Sequence, residues 1–159
     1  MDIGSLIDDL VKLVDEVDPA ALMPDLNSVV GWVEAAARLF VLAAPLILLG
    51  LGLWYLLAPP KEANHVAGYR FYFGMGSVEA WQYTQRLAGF GWTGLGGLLT
   101  LIMGIISLTF HGKDPVSMIG TAVGCVIWEL VLIAICCVVI DVLVGLRYDK
   151  NGNRRVSKK

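Results

Sequence analysis

Residues 39–58 and 87–110 contain no charged side chain, and each run is long enough to cross a bilayer as a helix. A hydrocarbon core of ~30 Å is spanned by about 20 apolar residues. A third apolar run, from about 116 to 146, is interrupted only by Glu129 and Asp141. Composition agrees: 57% of the chain is hydrophobic and 16% is charged, against about 25% charged in soluble domains. The expected fold is an all-α integral membrane protein with three transmembrane helices plus an N-terminal amphipathic helix.

The spans predict an organisation of three parts. Residues 1–28 form an acidic amphipathic helix and linker. Residues 29–147 form a transmembrane domain with spans at about 39–58, 87–110 and 116–146 and a polar loop over 59–86. Residues 148–159 form a basic tail. In the first part Ile3, Leu6, Ile7, Leu10, Leu13, Val14 and Val17 recur at helical spacing, with Asp8, Asp9, Asp15 and Glu16 opposite. Surface-bound helices usually carry a basic polar face, so this acidic one is expected on the bundle, a second copy or a partner. An N-terminus this acidic is unlike the n-region of a signal peptide, so the first span is expected to remain in the mature protein.

Charge is distributed unevenly. Residues 1–34 hold eight of the 14 acids, and the tail from Arg147 holds six of the 12 bases. Three spans put the first loop and the tail on one side, which then carries nine Lys and Arg against Lys12, Arg38 and Lys113 on the other. The positive-inside rule places the loop and C-terminus in the cytoplasm and the N-terminus outside. The bilayer is therefore the first expected partner, with the tail against anionic headgroups; no nucleic acid is expected.

Within the spans, Gly96, Thr100 and Gly104 form a stripe of small residues, and Gly120 and Gly124 a GxxxG. Both patterns predict close packing of the second span on the third. Glu129 is costly at mid-membrane. It is expected to be protonated and bonded to a backbone carbonyl or to Thr93 or Thr100, or to face a water-filled path, or to meet a group from a loop or subunit. Asp141 is expected to pair with Arg147 or another interfacial base. Cys125, Cys136 and Cys137 read as small apolar residues, with no metal-ligand spacing. No cofactor is expected, and no pattern of an enzyme is present, so the chain reads as non-enzymatic.

The polar loop is the most specific part of the sequence. It runs Asn64, Gly68, Tyr69 and Arg70, then Ser77, Glu79 and Trp81, then Gln85, Arg86 and Gly89. Gly68 permits a tight turn, Ser77 suits a helix N-cap with Glu79 in the first turn, and Tyr69 and Trp81 suit the headgroup region. Arg70 offers a planar fork for a phosphate or carboxylate, either held by Glu79 or turned to a ligand. Glu79 and Arg86 share one helix face.

This order resembles the SdpI family of bacterial membrane proteins, typified by the immunity protein against the sporulation-delaying toxin. Asn64, Gly68, Tyr69 and Arg70 correspond to the first half of its motif, and Ser77, Glu79, Trp81, Arg86 and Gly89 to the second. Ala63 and Phe71 depart from the pattern, where the family usually has Pro and Thr. The resemblance covers about residues 40–110, leaving out the acidic N-terminal segment and the third span. It implies toxin immunity or signalling, with a peptide toxin or a regulatory protein as partner and the motif residues as its contacts. A small transporter or channel subunit with Glu129 in the pathway, assembled as a homo-oligomer, is the alternative.

Overall fold

The computed structural model describes residues 26–63 and 67–155. The expected N-terminal amphipathic helix lies outside these residues, as does Asn64. Three long helices make up the bundle: α1 (Leu26–Leu57), α2 (Val78–Leu108) and α3 (Pro115–Arg147). All three are long and apolar enough to cross a membrane. A short 3-10 turn, Tyr72–Met75, lies between α1 and α2.

Local sequence explains each boundary. α1 stops before Pro59 and Pro60, because the residue ahead of a proline is pushed out of the helical region. Its interior Pro45 is buried, where neighbouring helices can accommodate the lost backbone bond. α2 opens on Ser77, whose side chain accepts from the Ala80 amide at 3.1 Å. α3 opens on Asp114, which accepts from the Ser117 amide at 2.8 Å, followed by Pro115 at the first helical position. Proline loses nothing there, since that amide has no partner within the helix. α2 therefore starts nine residues ahead of the charge-free run 87–110, and residues 78–86 of the cassette are its first turns, with Ser77 as the cap and Glu79 in the first turn.

Two apolar clusters hold the bundle. One joins Ala37 and Val41 of α1 to Leu99 and Met103 of α2 and Met118 and Ala122 of α3. The other joins Tyr55, Ala80, Ala88, Ile140, Val144 and Tyr148 at the opposite end. Outward-facing positions are apolar as well, including Leu101, Ile105, Trp128 and Ile135. Lipid is as apolar as such side chains, so close backbone packing rather than burial must select the helix pairs.

That selection differs from the expected one. α2 packs most extensively on α1, not on α3. A Cβ on Gly96 would stand 2.6 Å from the Leu49 amide nitrogen of α1, and one on Gly89 would meet Leu56 at 2.9 Å. Gly104, Gly120 and Gly124 have nothing among the described residues within 4 Å of such a Cβ. Gly89 and Gly96 of α2 thus form a seat for α1, and the GxxxG of α3 makes no close backbone approach among the described residues. Gly96→Ala is expected to force α1 and α2 apart at a cost of about 1–3 kcal/mol. Gly124→Ala is expected to stay within about 0.5 kcal/mol. Reversible unfolding in mixed detergent and dodecyl sulfate micelles measures both.

Candidate functional site

The cassette folds into a cap over the bundle end formed by the C-terminus of α1, the start of α2 and the end of α3. Trp81 anchors it. Its ring is fully buried, and its indole N–H donates to the Pro60 carbonyl at 2.8 Å. Gly68 lies against that ring. Its φ of 116° is in the left-handed region, and a Cβ there would come within 2.6 Å of the indole. Only glycine meets both demands without strain.

Gln85, one turn beyond Trp81, is also fully buried. Its amide oxygen accepts from the Tyr69 N–H and its amide nitrogen donates to the Tyr69 carbonyl, both at 2.8 Å. A single side chain thereby satisfies both polar groups of one loop residue. The same two bonds set the direction of the Tyr69 side chain. Its phenol donates to Asp141 Oδ1 at 2.8 Å, and its ring meets Trp92 edge-on at a centroid distance of 5.4 Å. Burial, and then the hydrogen bond to Asp141, push the Tyr69 hydroxyl far above its ordinary range, so it remains a neutral donor. Asp141 is thus tied to the cassette rather than to Arg147. The guanidinium of Arg147 instead lies over the Tyr83 ring at 4.4 Å.

The start of the tail completes the cap. Residues 148–155 fold back through an antiparallel bridge between Tyr148 and Arg154. Asp149 turns the chain by accepting from the Asn151 and Asn153 amides at 2.9 and 2.8 Å. Those bonds, that from Asn153 foremost, hold its carboxyl below the usual range. Gly152 has φ 75°, and its carbonyl accepts from the Ser77 hydroxyl at 2.8 Å. Ser77 therefore caps α2 and fastens the tail together. Tyr148 is buried and donates to Glu79 Oε1 at 3.1 Å; burial and that bond raise its phenol above the ordinary value.

Of the motif residues, Gly68, Tyr69, Ser77, Glu79 and Trp81 are brought together as this scaffold. Arg70 and Arg86 are exposed. Among the described residues Arg70 and Glu79 form no ion pair, because the Glu79 carboxylate is turned to Tyr148. Gln85 was legible only as one polar residue of the cassette, without its role as the clamp on Tyr69, and Tyr148 and the Asp149 turn were not legible as parts of the site. The Asp-x-Asn-Gly-Asn pattern of residues 149–153 was their one local signal.

Glu129 lies apart from the cap. It is fully buried, and neither oxygen has a hydrogen-bond partner among the described residues. The expected bond to α2 is not formed. Thr100 donates to the Gly96 carbonyl of its own helix at 2.7 Å. The Thr93 hydroxyl faces α1, where a Cβ on Gly52 would meet it at 2.7 Å. Close packing of α2 on α1 has turned the candidate partner away from α3.

The SdpI/YfhL protein family matches residues 61–145. The chain belongs to that family. Its match begins at the cassette and runs through α2 and nearly all of α3, so it is shifted from the expected 40–110: α3 is included and α1 is not. The family's region thus coincides with the part of the chain that builds most of the cap, from Trp81 and Gln85 to Asp141. No curated relative and no solved structure matches the chain at a significant level.

Proposed function

We propose that this chain is a non-enzymatic membrane protein of the toxin-immunity and signalling type. It guards the bacterial plasma membrane against a membrane-active peptide, or senses one, through the cassette at 64–89. The observation that carries this reading is the contrast within the cap. Its scaffold residues are buried and bonded, while Arg70 stands exposed beside them with no ion pair to Glu79. A rigid frame presenting a guanidinium with no ion pair among the described residues suits recognition of a carboxylate or phosphate. An apolar groove of about 350 Å³ between the cassette and α3, lined by Phe71, Phe73, Val138 and Val142 with Asp141 at its edge, supports contact with an amphipathic peptide.

Survival of a toxin-sensitive bacterium challenged with the sporulation-delaying toxin tests this. Expression of the wild-type chain is expected to protect, and Arg70→Ala, at equal membrane abundance, to lose at least about tenfold of that protection, in line with one lost charge-assisted contact. Undiminished protection by the Ala variant would remove the cassette from recognition.

The Glu129 carboxyl, with no hydrogen-bond partner among the described residues, favours the second reading, a transporter or channel subunit, to the extent that a polar group at mid-membrane marks a pathway. Glu129→Gln keeps the shape and removes the charge; unchanged protection with this variant speaks for the first reading. The charge count further supports a cytoplasmic cap and tail. Cysteine placed at Ser157, in a chain lacking Cys125, Cys136 and Cys137, is expected to resist an impermeant thiol reagent in intact cells and to react after permeabilisation.

A further inference from the structure

A second groove in the cap shares no lining residue with the apolar one. Glu79, Gln82, Tyr83, Arg86, Arg147 and Tyr148 line a polar groove of about 210 Å³. Two guanidiniums share it, one from α2 and one from the end of α3. Neither is in an ion pair among the described residues. The single carboxylate of the groove, Glu79, accepts from the Tyr148 hydroxyl, and Arg154 lies close enough to act on that phenol. Positive charge is therefore in excess. Arg147 is held in place by its stacking on Tyr83, an arrangement open to arginine through its flat, weakly hydrated head.

Position decides what such a groove meets. Arg86 stands immediately before the charge-free run 87–110, and Arg147 ends the apolar helix α3. α2 and α3 run antiparallel through the short connection after Leu108, so these two residues occupy the same end of the bundle. A bilayer spanned by these apolar helices would have its phosphates near this end of the bundle.

We propose that Arg86 and Arg147 form a binding site for the phosphate of an anionic phospholipid headgroup, with the acyl chains running down the apolar faces of α2 and α3. Each guanidinium presents two parallel donors to phosphate oxygens. Arg147 is pre-positioned by Tyr83, and Arg86 completes the pair. The immunity reading rests on Arg70, so the lipid site can fail without it; Arg86 is the one residue the site shares with the 64–89 cassette.

Native mass spectrometry of the delipidated full-length protein in detergent tests it, with phosphatidylglycerol and phosphatidylcholine added in turn. Wild-type protein is expected to retain phosphatidylglycerol in preference to phosphatidylcholine. The variant R86Q/R147Q is expected to bind phosphatidylglycerol about tenfold more weakly or worse, with its weak binding of phosphatidylcholine unchanged. R86K/R147K keeps the charge without the fork and should fall between. Inorganic phosphate that displaces phosphatidylglycerol at millimolar levels would show a site for phosphate as such; failure to displace assigns it to the lipid. Should the double variant not fold, Arg86→Gln alone serves, because that exposed side chain makes no hydrogen bond among the described residues. Equal phosphatidylglycerol binding by wild type and by a monodisperse variant overturns the proposal. So does an acidic peptide that binds while the lipid does not.

Discussion

Trp81→Ala is expected to be the most damaging single substitution in the cap, costing about 3–5 kcal/mol of stability. The ring is fully buried, lies against Gly68, and its N–H donates to the Pro60 carbonyl near the start of the first connection. Its removal leaves a cavity under a backbone that cannot settle into it, because Gly68 is held in a left-handed conformation. Trp81→Phe separates the two contributions. It restores most of the ring but not the N–H, so about 1–3 kcal/mol should remain lost through the unpaired carbonyl. Unfolding of the detergent-solubilised protein, followed by circular dichroism during a dodecyl sulfate titration, gives both values. An alanine variant within 1 kcal/mol of wild type would show that Trp81 is not the anchor.

Gln85→Leu should be nearly as costly, at about 2 kcal/mol or more. Leucine keeps the volume of the buried side chain but leaves the Tyr69 N–H and carbonyl without partners, and each such group costs about 1–3 kcal/mol. The effect is expected to reach beyond stability. With its backbone released, Tyr69 is no longer directed at Asp141, and the cassette loses its tie to α3. Gln85→Glu discriminates volume from bonding: a carboxylate accepts from the Tyr69 N–H but cannot donate to its carbonyl. Limited proteolysis within residues 59–77 should rise in both variants and stay unchanged in Arg70→Ala, whose side chain is exposed. Equal protease resistance of Gln85→Leu and wild type would show that the clamp does not order the loop.

Much of the architecture was legible in the chain because its physics is one-dimensional. The length of an apolar run, a serine or aspartate ahead of a helix and a pair of prolines behind one act through neighbours in sequence. Three spans, the Ser77 cap and the break at Pro59 follow from such terms. The cassette stood out for a related reason, since a lipid-facing loop has no packing need for Asn, Gly, Tyr, Arg, Glu and Trp in so short an interval.

Partner choice was not legible, because it depends on which surfaces meet. A glycine stripe announces that a backbone can approach closely but not which helix approaches, and Gly96 receives Leu49 of α1 rather than any residue of α3. From that one choice Thr93 turns to α1, and Glu129 is left without the bond its sequence neighbourhood suggested. Asp141 and Arg147 are six residues apart on one helix, yet Asp141 is bound by a tyrosine 72 positions away and Arg147 by a ring on α2. Nearness in sequence favours local charge pairs only by tenths of a kcal/mol, less than a buried hydrogen bond or a stacked guanidinium contributes. By itself, then, the chain determined its spans, its helix ends and the residues worth watching. The tertiary structure alone decided which of those residues brace the cap and which are left free to bind.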